Sequence, residues 1–206
     1  MAKVNSRKRK RVLRPTRDVV IVVAHGLSEV AIAQSLGAAL RMKIIVVAED
    51  SGRSSIQAEG LAKRLLKVPS LKTWTTCAET YSVDDPRQVH IFTLMDVDDI
   101  RHSDVKQAYM QGRVPGLSRR WYNERVTPIY CDGNLEAVLK AIGMAYANSR
   151  GEKHDLYLKI FPVTRTPEAQ RSKRDDFIEF RDKLQSVAIS NMDVFVSTCL
   201  TIAAQQ

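Results

Sequence analysis

Asp18-Val19-Val20-Ile21-Val22-Val23-Ala24 is a run of mostly β-branched residues with no polar side chain after Asp18. A strand with one wet face alternates apolar and polar residues, whereas a strand covered on both faces does not. The run therefore predicts a strand of the kind found in parallel sheets flanked by helices. His25-Gly26-Leu27-Ser28 follows as a turn. Ser28 suits a helix N-cap, and Glu29 falls in the first turn, where a negative charge meets the positive end of the helix dipole. Val30, Ala31, Ala33, Leu36, Ala39 and Leu40 then recur at helical spacing. Lys43–Ala48 is a second apolar run, so Val19–Ala48 reads as one strand–helix–strand unit with short connections.

A third run, His90-Ile-Phe-Thr-Leu-Met-Asp-Val-Asp-Asp99, carries Ile91, Phe92, Leu94 and Met95 and ends in Asp96, Asp98 and Asp99. It reads as a buried strand, although the pattern alone is also compatible with a helical turn. In an extended chain residues two apart share a side, so Asp96 and Asp98 project together where the strand leaves the sheet. Open α/β sheets bind ligands at that edge. Two close carboxylates repel and need a cation or a shared proton; a hard, oxygen-seeking ion such as Mg²⁺ suits them. The plainer reading is an acidic turn, because Asp side chains readily bond nearby backbone N–H groups.

Elsewhere the pattern predicts helices over 56–66 and 100–116, a strand over Val126–Cys131 that Pro128 places near an edge, and an amphipathic helix over Leu135–Gly143 with Glu136 in its first turn. Residues 71–76 read as a short extended piece. Ser149–Asp155 reads as a polar connection, 156–162 as an edge strand or short helix, and 164–175 as a charged loop. Two closing helices are expected over Asp176–Leu184 and Met192–Ala204. The expected fold is α/β: a mostly parallel, Rossmann-like sheet of four or five strands with helices on both faces. Residues 18–206 form a single domain with a C-terminal helical extension.

The chain has 206 residues, 44% hydrophobic and 27% charged, which suits a globular body. No apolar run approaches the ~20 residues of a membrane helix, and no secretory signal is read at the N-terminus. Cys77, Cys131 and Cys199 are scattered and odd in number, which points to core thiols in a reduced, cytoplasmic protein. The net charge is +9, but Met1–Arg17 holds eight cations and no acid, so the remainder carries only +1. That stretch, with Arg7, Lys8, Arg9, Lys10 and Arg11 at its centre, is expected to be a flexible basic tail. It suits contact with DNA or RNA, or else simply keeps the chain soluble. Arg119, Arg120 and Arg125 are interleaved with Trp121 and Tyr122. This mixture suits phosphate and base contact, and equally a short amphipathic helix with Trp121 in the core.

In a parallel sheet all carboxyl ends point one way, so His25 with Glu29, Asp96 with Asp98 and Asp99, and Glu136 can converge. A divalent-metal phosphodiester site needs such convergence. At this point the chain resembles the Toprim family: domains of topoisomerases, primases, recombination proteins and overcoming-lysogenization-defect (OLD) nucleases. The likeness rests on Val19–Glu29 as first strand with its Gly-containing turn, and on Asp96-Val97-Asp98 as the Asp-x-Asp motif. It is nearest to small bacterial OLD-like and phage-defence Toprim proteins. Their first motif resembles Glu-Gly-x-Ser-Glu, and in them a Leu-Glu pair, here Leu135-Glu136, follows a Pro-containing strand.

The resemblance implies a metal-dependent nuclease that uses Mg²⁺ or Mn²⁺. Asp96 and Asp98 would hold the metal, Asp99 and Glu136 would add ligands, and Glu29 would share in catalysis or ligation. It also implies a separate ATPase or other defence-system subunit as partner, since this chain has no ATPase motif; an oligomer is compatible with it. One position departs from the pattern. The first-motif Glu, an acid/base or metal ligand, is His25 here, while Gly26, Ser28 and Glu29 still match. Imidazole accepts a proton near neutrality and suits Mn²⁺ or Zn²⁺ better than Mg²⁺. His25 thus implies a changed metal, a changed base, or a degenerate module that binds nucleic acid without cutting it. A nucleotide-binding protein using the Glu49–Ser55 loop is a third reading, but it lacks a Gly-x-Gly-x-x-Gly or Gly-x-x-x-x-Gly-Lys signature.

Overall fold

The computed structural model describes residues 18–117 and 119–205. Four strands, β1 (Val19–Ala24), β2 (Ile44–Val47), β3 (Val89–Asp96) and β4 (Val126–Cys131), form one all-parallel sheet in the order β2-β1-β3-β4. Every residue of β1 is buried, as its unbroken apolar run demands. Successive side chains alternate between two cores. Val20, Val22, Phe92 and Leu94 face α1 (Leu27–Ala39), α5 (Leu135–Ala141), α6 (Arg150–Ile160), α7 (Pro167–Gln185) and α8 (Met192–Ala204). Val19, Ile21, Val23 and Ile91 face α2 (Leu61–Leu66), α3 (Trp74–Tyr81) and α4 (Ser103–Met110). The α/β fold with helices on both faces is therefore present, with four strands.

The chain steps from β1 to β2 on one side and then crosses to β3 and β4 on the other. The first step uses a helix on one face, and the later steps use helices on the opposite face, as a constant crossover hand requires. The strand order reverses between β1 and β3, so their carboxyl ends flank the crevice where such sheets bind ligands. Pro128 lies in the edge strand β4, where a missing N–H is tolerated. The chain before α8 covers that edge. Asn191 Nδ2 donates to the Pro128 carbonyl (3.0 Å), its Oδ1 accepts from Tyr130 N (2.8 Å), and the Ser190 hydroxyl donates to the Tyr130 carbonyl (2.7 Å). The other edge, β2, is only half-buried.

Several local expectations need correction. The first helical turn of the 56–66 segment is a 3-10 turn at Ala58–Gly60, and Leu66 is exposed rather than on the packed face. Residues 71–76 are not extended. A 3-10 turn at Pro69–Leu71 leads into α3, which Thr73 caps by accepting from Thr76 N (3.1 Å). The helix expected over 100–116 is the shorter α4. The stretch read as a polar connection is the start of α6, and the charged loop is the first half of α7. Thr166 caps α7 and Pro167 stands at its first position, a start signal present in the sequence. The buried residues of α7 (Phe177, Phe180 and Leu184) all lie in its second half, so the first half carries no apolar period. No amphipathic helix forms at 119–125. Tyr122, not Trp121, is the fully buried ring, while Trp121 donates to the Leu71 carbonyl (3.1 Å). No helix of the described residues is long and apolar enough to cross a membrane.

Candidate functional site

Above the β1–β3 crevice lies a cleft of about 610 Å³. His25, Glu29, Asp96, Asp98, Asp99 and Glu136 all line it, so the convergence expected of the strand ends is present. Val97 is fully buried, which turns Asp96 and Asp98 to the cleft side together.

His25 is 7% exposed, and its main chain and Nδ1 are held by neighbouring backbone groups. Its N–H donates to the Leu94 carbonyl (2.9 Å) and its carbonyl accepts from Ile56 N (2.9 Å). Its Nδ1 lies 2.9 Å from the Ile56 carbonyl. A carbonyl can only accept, so Nδ1 carries a proton. The other ring nitrogen, Nε2, faces acid: Asp99 Oδ2 at 3.5 Å and Asp96 Oδ2 at 4.0 Å. A neutral imidazole with this tautomer would turn its Nε2 lone pair toward two carboxylates. A proton or a cation between them removes that repulsion.

Asp96 ends β3, and its Oδ1 accepts from Leu135 N (3.0 Å) at the start of α5. Burial, and then the carboxylates of Glu29, Asp98 and Glu136, push its pKa up to about 9, against the Leu135 amide, which acts the other way. Burial also raises Glu29, which is 2% exposed; the charge of His25 opposes that rise. Its Oε2 accepts from Gly26 N (2.9 Å), so Glu29 caps its own helix. Glu136 Oε1 accepts from the Tyr157 hydroxyl (2.8 Å) and pairs with Lys153 Nζ (2.9 Å). Asp98 and Asp99 are exposed at the rim, and Asn134 Nδ2 reaches toward Asp98 Oδ2 (3.5 Å).

Comparison with protein-family models, with curated proteins and with solved structures returns no match. The site is therefore read from its own chemistry. Oxygen donors crowded around a buried acid fit a hard divalent cation. Among the described residues, however, no group of three or more His, Cys, Asp or Glu side chains is placed to hold one ion. Glu29, Asp96 and Glu136 are each engaged by donors of the protein itself.

Lys153, which the sequence reading does not single out, also lines the cleft, as do Arg53 and Ser55. Arg53 and Ser55 belong to the Glu49–Ser55 loop. Lys153 stands four residues before Tyr157 on α6, a spacing that puts both on one helix face, but only a correct helix assignment makes that spacing meaningful. Arg119 and Arg120 are exposed and do not line the cleft. Arg7, Lys8, Arg9, Lys10 and Arg11 lie outside the described residues.

Proposed function

We propose that the protein is a divalent-metal-dependent nuclease that hydrolyses phosphodiester bonds in DNA or RNA in this cleft. The observation that carries the reading is Asp96: a buried acid at the switch point of a parallel sheet, crowded by three other carboxylates. Such crowding opposes folding and is retained where a ligand relieves it. Asp96, Asp98, Asp99 and His25 Nε2 would hold the ion, the exposed Asp98 and Asp99 turning toward it. When bound, a divalent ion stabilises charge on the attacking and leaving oxygens of an in-line displacement. His25 favours Mn²⁺ over Mg²⁺, because imidazole is a softer donor than carboxylate. Its Nδ1–H to the Ile56 carbonyl fixes the ring, the second-shell support a ligating histidine needs. Glu136, with Lys153 and Tyr157, sets the charge of the far wall.

A second reading is a nucleic-acid-binding module with a silent site. It is favoured by the engagement of Glu29, Asp96 and Glu136 with the protein's own donors, and by His25 standing where the Toprim resemblance implies Glu. Cleavage assays with Mn²⁺ and Mg²⁺ on single- and double-stranded substrates separate the two. The nuclease reading expects Mn²⁺-dependent cleavage that Asp96→Asn abolishes. Absence of cleavage with either ion, together with gain of cleavage in His25→Glu, supports the silent module instead. A separate ATPase or defence-system subunit as partner belongs to the nuclease proposal and is tested by co-purification of that subunit with the full chain.

A further inference from the structure

The two edges of the sheet are finished differently. β4 carries Pro128 and is covered by Ser190 and Asn191. β2, Ile44-Ile45-Val46-Val47, has no proline, glycine, charge or bulge, and all four residues are half-buried. Among the described residues, no hydrogen bond reaches these four except from β1. A strand paired on one side points alternate N–H and C=O groups away from its neighbour. An apolar edge left open in this way is a template for another strand.

The surroundings of β2 say which strand fits. On the α1 face, a groove of about 370 Å³ lies at its carboxyl end, lined by Val46, Ala48 and Leu158. A second, of about 470 Å³, lies at its amino end, lined by Ile44 and Val163. Leu158 is 45% and Val163 50% exposed. The opposite face carries charge. Lys43, just before β2, is exposed and lies over the Tyr81 ring of α3. Glu49, just after it, pairs with Arg64 of α2 and keeps 46% of its side chain exposed.

We infer that β2 is a two-fold interface at which two copies of this chain pair antiparallel, joining their four-stranded sheets into one. Directly opposite residues of antiparallel strands share a face, so a self-paired strand is centred on a residue. Centring on Val46 uses the whole of β2. It sets Lys43 opposite Glu49 of the partner subunit, and the axis repeats that pair at the other end. On the α1 face it sets Ile44 opposite Ala48 of the partner subunit, so the Val163 groove of one copy abuts the Leu158 groove of the other. The basic entry and acidic exit of β2 thus complement themselves, which selects a second copy over an unrelated strand. The two clefts then open at opposite ends of the joined sheet. The interface is independent of the chemistry in the cleft.

Sedimentation equilibrium of the full chain at low salt, from about 1 to 200 μM, tests this. The expected result is a reversible monomer–dimer equilibrium. Lys43→Glu or Glu49→Lys sets like charges opposite one another at both ends of the strand and should weaken association about tenfold or more. An equimolar mixture of the two variants restores both opposite-charge pairs and should associate within about threefold of the native chain. Amide exchange of the native chain gives a readout that needs no variant: protection of residues 44–47 should rise with concentration while that of β4 stays constant. A native chain that stays monomeric over this range overturns the interface. So does association unchanged in both variants, a mixture of the folded variants that fails to associate, or β2 exchange that is independent of concentration.

Discussion

The two walls of the cleft come from the same device, a strand end running into a helix, yet they hold their acids differently. At the end of β3 the device delivers Asp96, Asp98 and Asp99, acids that repel one another and bury one member. At the end of β1 it delivers a rigid histidine and the buried Glu29, whose carboxylate caps its own helix at Gly26 N. The acid wall is destabilising without a positive partner. On the β1 side the Glu29 carboxylate is met by the Gly26 amide, and the charge of His25 opposes the rise that burial imposes on it.

Asp96→Asn separates the walls most sharply. Cleavage is expected to fall on the order of a thousandfold. The metal-free protein should become more stable by on the order of 2–4 kcal/mol at pH 7, because the folded pKa near 9 then no longer opposes folding. Urea unfolding of both proteins measures this; an Asn variant less stable than the parent removes the claim that the acid wall is strained.

The same group sets a pH dependence. A pKa raised by folding means that the folded chain binds the proton more tightly than the unfolded chain. Stability from Asp96 is therefore complete below pH ~4 and declines as pH rises through about 9. Melting temperature of the metal-free protein should fall across that window, and the slope should flatten in Asp96→Asn. Mn²⁺ should raise the melting temperature most at the alkaline end, where the ionised acids are available to it. An equal effect at pH 5 and pH 8.5 would place the ion elsewhere.

His25 joins the walls, and His25→Ala is expected to reduce Mn²⁺-dependent cleavage about a hundredfold. His25→Glu should shift the preference from Mn²⁺ toward Mg²⁺. An unchanged ratio of activity with the two ions would show that Nε2 does not meet the metal. The smallest effect is expected from Tyr157→Phe. It removes the hydroxyl donor to Glu136 and should cost about 1 kcal/mol of stability with at most a few-fold change in cleavage, measured by urea unfolding and by rate.

The sequence made the sheet legible because β1 is an unbroken apolar run and β3 a mostly apolar one. The acids were legible for the same reason, since each stands at the end of, or just after, a legible strand. What escaped had local causes. The start of α7 is solvent-facing and charged, so its helical period is invisible; only the Thr166-Pro167 start marks it. Lys153 was hidden because α6 was read as a connection. The bond from Gly26 N to Glu29 was readable from the three-residue spacing of a capping box, and it changes the meaning of Glu29 from a ligand in waiting to a helix cap that shares the cleft. Arg53 reaches the cleft through the positive-φ turn at Asp50–Gly52, a backbone feature that residue types only hint at.

Anomalous X-ray diffraction at the manganese edge, from crystals of the full chain soaked in Mn²⁺, tests the metal assignment most directly. The expected density is an ion in the cleft bonded to Asp96 and to at least one of Asp98, Asp99 and His25 Nε2, and missing from Asp96→Asn crystals. A cleft without manganese while Asp96 keeps its bond to the Leu135 amide, or manganese bound only outside it, would contradict the account.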